Sequence, residues 1–338
     1  MGGKALKNHP TRRYHTDEYL KLYQEMEPVL QEIVQGRVEL LPFYTTKETH
    51  GDMDIVVESD HLPPNWTEKV MERFASRDCY NNGDTFTFEF RDLQIDLIKA
   101  TAEEFEHTLN FLSFNDLGGL LGKLANHLGF KLGHQGLQYR VKDGTNTVRV
   151  LKLTSDYLQS LEFLGYDPER FRQGFDTLRE VYEYVCSSPY FYPGCCLIEN
   201  QNSKNRQRDR KRPTYQGFLE FMEEEGYLER IPHPVSTREE QLQRAIDTFP
   251  GFEEALQDTY RFLELKRAAH QKFNGHMVRE WSGVEGQHLG EVMMELRHTF
   301  PGVDATDFEQ WVLDTDLQAI RQEVEGVVER LKPGWTAS

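Results

Sequence analysis

The sequence predicts an α+β protein, a mixed sheet with helices followed by an α-helical domain, and three observations carry that prediction. Residues 85–90 alternate, with Phe86, Phe88 and Phe90 on one face, and the alternation resumes through Leu93, Ile95 and Leu97, as in paired half-buried strands. The run Ile55-Val56-Val57 directly after Gly51-Asp52-Met53-Asp54 reads as a buried strand entered through an acidic turn. Beyond Thr154 the apolar residues recur instead at steps of three and four, the spacing of one helix face.

In chain order, residues 1–15 hold Lys4, Lys7, Pro10, Arg12 and Arg13 and read as a mobile N-terminal arm, a solvated tail by composition. Tyr19, Tyr23, Met26, Leu30 and Ile33 stripe a helix from Thr16 to about Gly36, with Pro28 as a candidate kink. Val38 to Tyr44 is a strand, and Lys47 to Gly51 is the turn that presents Asp52 and Asp54. Pro63-Pro64 closes the next strand, and Asn65 caps a helix bearing Trp66, Val70 and Phe74. Asn81-Asn82-Gly83-Asp84 is a turn, and a strand, turn and strand follow to Lys99.

Leu117 to Phe130 reads as a helix despite Gly118, Gly119 and Gly122. Glycine inside a helix costs roughly 1 kcal/mol against alanine, so something approaches that backbone closely, either a packed neighbour or a nucleotide. Gly133, Gly136 and Gly144 then punctuate hairpins, and Val148, Val150 and Leu151 mark a strand. Residues 16–154 form one domain on this reading, and 155–338 form the helical one.

Within the helical domain, Ser155 or Asp156 caps a helix, Asp167-Pro168 opens another, and Leu178, Val181, Tyr182 and Val185 mark a core-facing third. Ser236 and Glu239 have the spacing of a capping box. Phe252, Leu256, Tyr260 and Leu263 stripe one helix; Leu317, Ile320, Val324, Val328 and Leu331 stripe the last. Residues 199–213 read as a polar loop carrying Lys204, Arg206, Arg208, Arg210, Lys211 and Arg212. Guanidinium forks suit phosphate, and Tyr215 and Phe218 just beyond are candidates to stack on bases. The same composition also serves a solvated linker. If nucleic acid is a substrate, this loop is where it is gripped.

At 338 residues, 38% hydrophobic and 28% charged, the chain has the composition of a soluble globular protein long enough for two domains. It lacks an apolar run of membrane-spanning length and a signal-like N-terminus, so a cytoplasmic location is expected. Its net charge of −17 argues against general coating of nucleic acid while permitting a local basic track. Cys79, Cys186, Cys195 and Cys196 lack zinc-ligand spacing and disulfide density, and are expected to be reduced and structural. No zinc-binding histidine pair, phosphate-binding Gly-rich loop or nucleophile elbow is present.

The chemistry rests on three aspartates. Side chains two apart on a strand share a face, so Asp52 and Asp54 present both carboxylates together. Adjacent carboxylates repel unless a cation sits between them, and Mg2+ is commonly held by one or two carboxylates together with water and substrate phosphate. Asp96 lies opposite its apolar neighbours Ile95 and Leu97 and supplies a third acid. Three acids on neighbouring strands can hold two metal ions about 3.5–4 Å apart, Asp52 and Asp54 bridging both and Asp96 holding the one that activates the nucleophile.

Thr49-His50-Gly51-Asp52-Met53-Asp54-Ile55-Val56-Val57, with Leu93-Gln94-Ile95-Asp96-Leu97-Ile98, resembles the palm of the DNA polymerase β-type nucleotidyltransferases. That family carries Gly-Asp-x-Asp on one strand and an isolated Asp on another. The resemblance implies that Asp52, Asp54 and Asp96 are its three metal-binding aspartates. Where the family has a Gly-Ser pair that contacts the incoming triphosphate, this chain has Leu41-Pro42, and Thr45, Thr46 and Lys47 are the candidates to replace it. Residues 114–139 are similar to the helix and hairpin that line the nucleotide pocket in that family, which places Asn115 near the nucleotide. The likeness spans roughly residues 35–150, and the expected nucleotide contacts are Thr45, Thr46, Lys47, Gly51 and Asn115.

A second, shorter likeness joins Phe273-Asn274-Gly275-His276-Met277-Val278, Ser282-Gly283-Val284-Glu285-Gly286-Gln287 and Leu289-Gly290 to the tail domain of tRNA CCA-adding enzymes and bacterial poly(A) polymerases. Helix caps and close packing would produce the same glycines. Taken together, the resemblances imply a nucleotidyltransferase using two Mg2+ or Mn2+ ions to move a nucleoside monophosphate from ATP or another nucleoside triphosphate to a nucleic-acid 3' hydroxyl, RNA before DNA. The alternatives are a polymerase β-like DNA polymerase, nucleotidylation of a protein or small molecule, and a nucleotide-binding module that has lost the chemistry.

Overall fold

The computed structural model describes residues 5–229, 235–299 and 307–335, so Lys4 of the expected arm lies outside the described residues. Strand β1 (Tyr14–His15) leads into α1 (Thr16–Val34), whose first turn carries Asp17 and Glu18 at the positive end of the helix dipole. Pro28 lies within α1 without ending it, and the helix closes at Gln35 in the left-handed region. Then come β2 (Val38–Leu40), β3 (Thr49–His50), β4 (Asp52–Glu58), α2 (Trp66–Arg73), β5 (Cys79–Asn82), β6 (Thr85–Phe90) and β7 (Leu93–Ala100). Strand β2 stops two residues before Pro42 rather than reaching Tyr44, because proline has no N–H to give a ladder.

Five of these strands form a mixed sheet in the order β2-β4-β7-β6-β5, in which β4 and β7 are parallel and the other neighbours antiparallel. One face is apolar: Met53, Ile55, Val57, Phe86, Phe88, Ile95 and Leu97 share a core with Leu22, Met26, Leu30 and Ile33 of α1 and Val70 of α2. Each such side chain stabilises the fold by about 1.5–3 kcal/mol when fully buried. On the opposite face Val56 and Ala100 pack with Phe105 and Leu109 of α3 (Phe105–Leu112). The strand ends that α3 does not reach on that face carry Asp52, Asp54 and Asp96.

Helix α4 (Leu117–His127) follows, then a smaller antiparallel sheet of β8 (Phe130–Gly133), β9 (Gly136–Asp143) and β10 (Asn146–Thr154) in the order β10-β9-β8. The glycine at 118 has a packing explanation, since a Cβ there would lie 2.0 Å from the Phe111 carbonyl oxygen. The remaining α-helices among the described residues are α5 (Tyr157–Phe163), α6 (Pro168–Arg172), α7 (Leu178–Cys186), α8 (Ser203–Asp209), α9 (Pro213–Glu224), α10 (Arg238–Thr248), α11 (Phe252–Lys272), α12 (Gly275–Ser282), α13 (Gly286–Thr299), α14 (Asp307–Asp314) and α15 (Leu317–Trp335). No helix among the described residues is long and apolar enough to cross a membrane.

The chain divides into two compact units, but not at residue 154. Of the described residues, those up to Arg140 and from Val150 to Pro250 form the first, and Val141–Arg149 with those from Gly251 onward form the second. Helices α5 to α10 belong with the sheet because their aromatic residues complete its unit: Phe163 meets Phe130 and Phe249, and Phe171 meets Phe114 and Tyr157. The second unit has its own core, built from Phe273, Val278, Val292, Leu296, Phe308, Val312, Ile320 and Val324.

Several expectations need correction. The described part of the arm is not a free tail: Asn8 bonds Asp78, His9 bonds Asp92, and the Arg12 N–H donates to the Asp92 carbonyl. Composition registers the arm's charge, not its backbone bonds. Residues 199–213 are not one loop, since Asn202 caps α8 through the Asn205 N–H. The capping box lies one residue later, on Thr237 and Glu240. Tyr260 and Leu317 are exposed despite lying in apolar stripes, and Thr259 is buried in Tyr260's place. In the tail segment Asn274 caps α12 and Gly283 closes it at φ 71°, so cap geometry accounts for those residues.

Candidate active site

The site is built from two parallel strands whose register puts acid beside acid. Asp54 on β4 pairs directly with Asp96 on β7, and Asp52 pairs with Gln94. Side chains two apart share a face, so Asp52, Asp54, Gln94 and Asp96 form one polar patch at the strand ends. One carboxylate oxygen from each of Asp52, Asp54 and Asp96 lies within 4.8 Å of the others.

The carboxylates sit in a field that resists their charge. Burial first, then the neighbouring charges of Asp52 and Asp96, push Asp54 well above the usual carboxylate range, with Lys47 opposing. Burial also raises Asp96, against hydrogen bonds from Thr87 and Gln94 that favour its ionised form. The Thr87 hydroxyl donates to Asp96 Oδ1 at 2.5 Å and the Gln94 amide to Oδ2 at 2.8 Å. Both oxygens of the third acid are thereby oriented by the protein.

The expected phosphate contacts separate. Lys47 lies in the field of Asp52 and Asp54, with its ammonium donating to Asn115 Oδ1 at 3.1 Å. Burial lowers its pKa while the two acids raise it. Asn115 is the second of two consecutive left-handed residues, Phe114 (φ 56°) and Asn115 (φ 63°), in a turn tied to Pro42 by the Phe114 N–H. Asparagine tolerates that conformation better than most residues. Thr45 and Thr46 are engaged elsewhere: the Thr45 hydroxyl donates to Asp176 Oδ1 at 2.9 Å and the Thr46 hydroxyl to the Asp176 carbonyl at 2.8 Å. A hydroxyl has one proton to give, so these two brace their turn against residues 175–176 instead of offering donors to phosphate. Gly51 is buried in the link between β3 and β4.

Under this turn lies His50, 2% exposed, stacked on Tyr19 at 3.9 Å and met edge-on by Phe43 at 4.5 Å. The Thr16 hydroxyl donates to the Lys47 carbonyl, so at 3.1 Å it accepts from His50 Nε2. Burial lowers His50 to about 4, with Lys47 and Arg13 acting in the same direction. A neutral imidazole thus supports the backbone that presents Lys47.

Of the basic residues, Arg212 donates to Asp116 Oδ1 at 2.5 Å, next to the Asn115 that holds Lys47. Arg208 pairs with the buried Asp209, which also receives the Lys123 ammonium at 2.5 Å. Arg206, Arg210 and Lys211 have no ion pair among the described residues. Tyr215 and Phe218 are 3% and 0% exposed, and the Tyr215 hydroxyl donates to the Cys196 carbonyl, so neither is free to stack on a base. They face the core because α9 lays its apolar stripe inward.

Thr87, Gln94 and His50 were not among the sequence candidates. Gln94 stands two residues before Asp96 in a strand that is otherwise apolar from Leu93 to Ile98, a signal visible in the alternation itself. Thr87 needed the pairing of β6 with β7, which sets it directly opposite Asp96. Compared with known proteins, the chain matches no family model and no curated sequence.

Proposed function

We propose that this chain is a metal-dependent nucleotidyltransferase with a polymerase β-like palm, moving a nucleoside monophosphate from a nucleoside triphosphate to a hydroxyl, with a nucleic-acid 3' end, RNA before DNA, as the preferred acceptor. The observation that carries the reading is the gathering of Asp52, Asp54 and Asp96 on one face of two parallel strands. The donor set suits hard divalent cations, and the upward shift of Asp54 is what a site short of positive charge would show.

Asp52, Asp54 and Asp96 would hold two Mg2+ or Mn2+ ions, which when bound ease ionisation of the acceptor hydroxyl and offset charge on the phosphates. The acceptor hydroxyl gives up its proton to solvent, its oxygen bonds to the α-phosphorus, the bond from that phosphorus to the bridging oxygen breaks, and pyrophosphate leaves with the electron pair. Asp96, held by Thr87 and Gln94, orients the acceptor side. Lys47, steadied by Asn115, adds a compact positive charge for the phosphates. Arg206, Arg210 and Lys211, cations of the basic segment without an ion pair among the described residues, are the candidates to meet an acceptor backbone.

The test offers all eight labelled ribo- and deoxyribonucleoside triphosphates with Mg2+ or Mn2+ against tRNA, single strands and primed duplex. Extension of unprimed RNA supports the stated reading. Extension of primed duplex alone makes the protein a DNA polymerase, and label on protein makes it a protein-modifying enzyme. No incorporation under any condition reduces it to a binding module.

A further inference from the structure

We propose that Gln94 is a positioning residue for Asp96, and that the N-terminal arm fixes it in that role through a single backbone N–H. The proposal rests on the reading of Asp96 as a metal ligand. Gln94 is 3% exposed, and its amide bridges two groups of opposite kind: Oε1 accepts from the Ala5 N–H at 2.8 Å, and Nε2 donates to Asp96 Oδ2 at 2.8 Å. Only one amide orientation works. Turned over, Nε2 would face the Ala5 N–H donor to donor, and Oε1 would face the Asp96 carboxylate acceptor to acceptor.

Docking of the arm therefore selects the rotamer that meets Asp96 with a donor. Thr87 already holds the other oxygen, so Asp96 is aimed from both sides only while the arm is in place. The arm is built to stay there. Leu6 is 9% exposed, the Asn8 backbone N–H and side-chain amide donate to Asp78 at 2.9 and 3.1 Å, and His9 Nε2 lies 2.9 Å from Asp92 Oδ1. The Arg12 N–H donates to the Asp92 carbonyl at 2.8 Å and the Tyr14 hydroxyl to the Arg91 carbonyl at 2.5 Å. These fastenings lie on Asp78 just before β5 and on Arg91 and Asp92 in the turn between β6 and β7, and the contact with Gln94 is made by the arm's backbone alone.

Groups that orient a metal ligand typically carry 10–100-fold in metal affinity. The test is a titration of the full-length chain with Mn2+, read by the electron paramagnetic resonance of free ion, with thermal unfolding of each variant measured alongside. Gln94→Met is expected to weaken Mn2+ binding about 10-fold or more. Ala5→Pro, which deletes the N–H and adds no charge, is expected to weaken it several-fold in the same direction, and Lys7→Ala, an arm change that keeps the backbone N–H toward Asp78, to leave it unchanged. If Gln94→Met does not fold, Ala5→Pro decides. Wild-type affinity in both Gln94→Met and Ala5→Pro, beside a loss in Asp52→Asn, would overturn the inference and leave the carboxylate site standing. An effect of Gln94→Met without one of Ala5→Pro would overturn the role of the arm. Unchanged affinity in Asp52→Asn would overturn the metal reading itself, and the inference with it.

Discussion

Asp54 and Asp96 are direct partners in a parallel strand pair, two acids held at strand spacing with a third, Asp52, on the same face. A fold gains nothing from such a cluster by itself. With its pKa raised, Asp54 favours the folded state below the usual carboxylate range and opposes it as pH rises through the folded value, so at neutral pH it opposes folding.

Neutralising that group should stabilise the metal-free protein. Asp54→Asn is expected to raise the melting temperature by a few degrees, on the order of 1 kcal/mol, while abolishing transfer. Mg2+ should stabilise the wild type by about 2.7 kcal/mol at a hundred times its Kd, raising its melting temperature, and do much less for the variant. Thermal unfolding with and without Mg2+ checks both; a less stable Asp54→Asn protein would mean that the carboxylate supports the fold.

Asp52 and Asp96 should differ in what they leave behind. Asp52→Asn removes a charge assigned to both cations, whereas Asp96→Asn removes one assigned to the acceptor side. Both are expected to lower transfer by several orders of magnitude. Asp96→Asn should retain Mg2+-dependent nucleotide affinity better than Asp52→Asn, as equilibrium binding of a labelled nucleotide would show. Normal turnover in Asp96→Asn would mean that the third ligand lies elsewhere.

The basic segment can be tested through salt. Arg206, Arg210 and Lys211 are, with Lys204, the members without an ion pair among the described residues, so changing these first three to Ala should raise the acceptor KM more than the nucleotide KM and flatten the salt dependence of acceptor binding by about one power per lost contact. An unchanged slope makes α8 and its flanks a structural connector. Arg212 and Arg208 are poorer choices, because losing Arg212 takes away the partner of Asp116 and losing Arg208 leaves the buried Asp209 with Lys123 as its remaining ion-pair partner among the described residues.

How much of this was legible in the sequence depends on the range of the contacts involved. The aspartates were legible because strand alternation and a two-residue spacing act locally, and the strands around them announce themselves by the same alternation. The arm was not: its charged residues suggest solvent, and the contacts that dock it join Asn8 to Asp78 and Ala5 to Gln94 across long stretches of chain. The unit boundary was missed for a related reason, since the stripes of α5 to α10 say that a face is buried and not which core receives it. Thr45 and Thr46 have the right atoms for phosphate, and only the turn at Asp176 shows where their protons go.

The buried Lys123–Asp209 pair should be the most costly of these long-range ties to break from one side. Lys123→Met leaves Asp209, fully buried, with the Arg208 guanidinium as its one ion-pair partner among the described residues, and is expected to cost about 3–5 kcal/mol. Lys123→Met with Asp209→Leu should recover much of that loss, which urea unfolding of the single and double variants would measure. Additive losses would mean that the two residues act through separate partners.

Acid should weaken the fold through its buried imidazoles. His50 and His107 are both lowered to about 4, chiefly by burial, and His107 Nε2 donates to the Gly133 carbonyl at 2.8 Å. In the unfolded chain each titrates near 6.5, so the stability that comes from keeping them neutral is complete above that value and is lost as pH falls towards 4. Within that window each can contribute a slope of up to about 1.4 kcal/mol per pH unit. Asp54 and Asp96, with raised values, act in the opposite sense and relieve the fold as they take up protons. Urea unfolding at intervals from pH 7 to 4.5 should therefore show falling stability, with a shallower slope in His50→Gln and in His107→Gln and a steeper one in Asp54→Asn. A slope unchanged by both histidine substitutions would mean that these rings take up protons as readily folded as unfolded, and His50 could not then be the neutral support beneath Lys47.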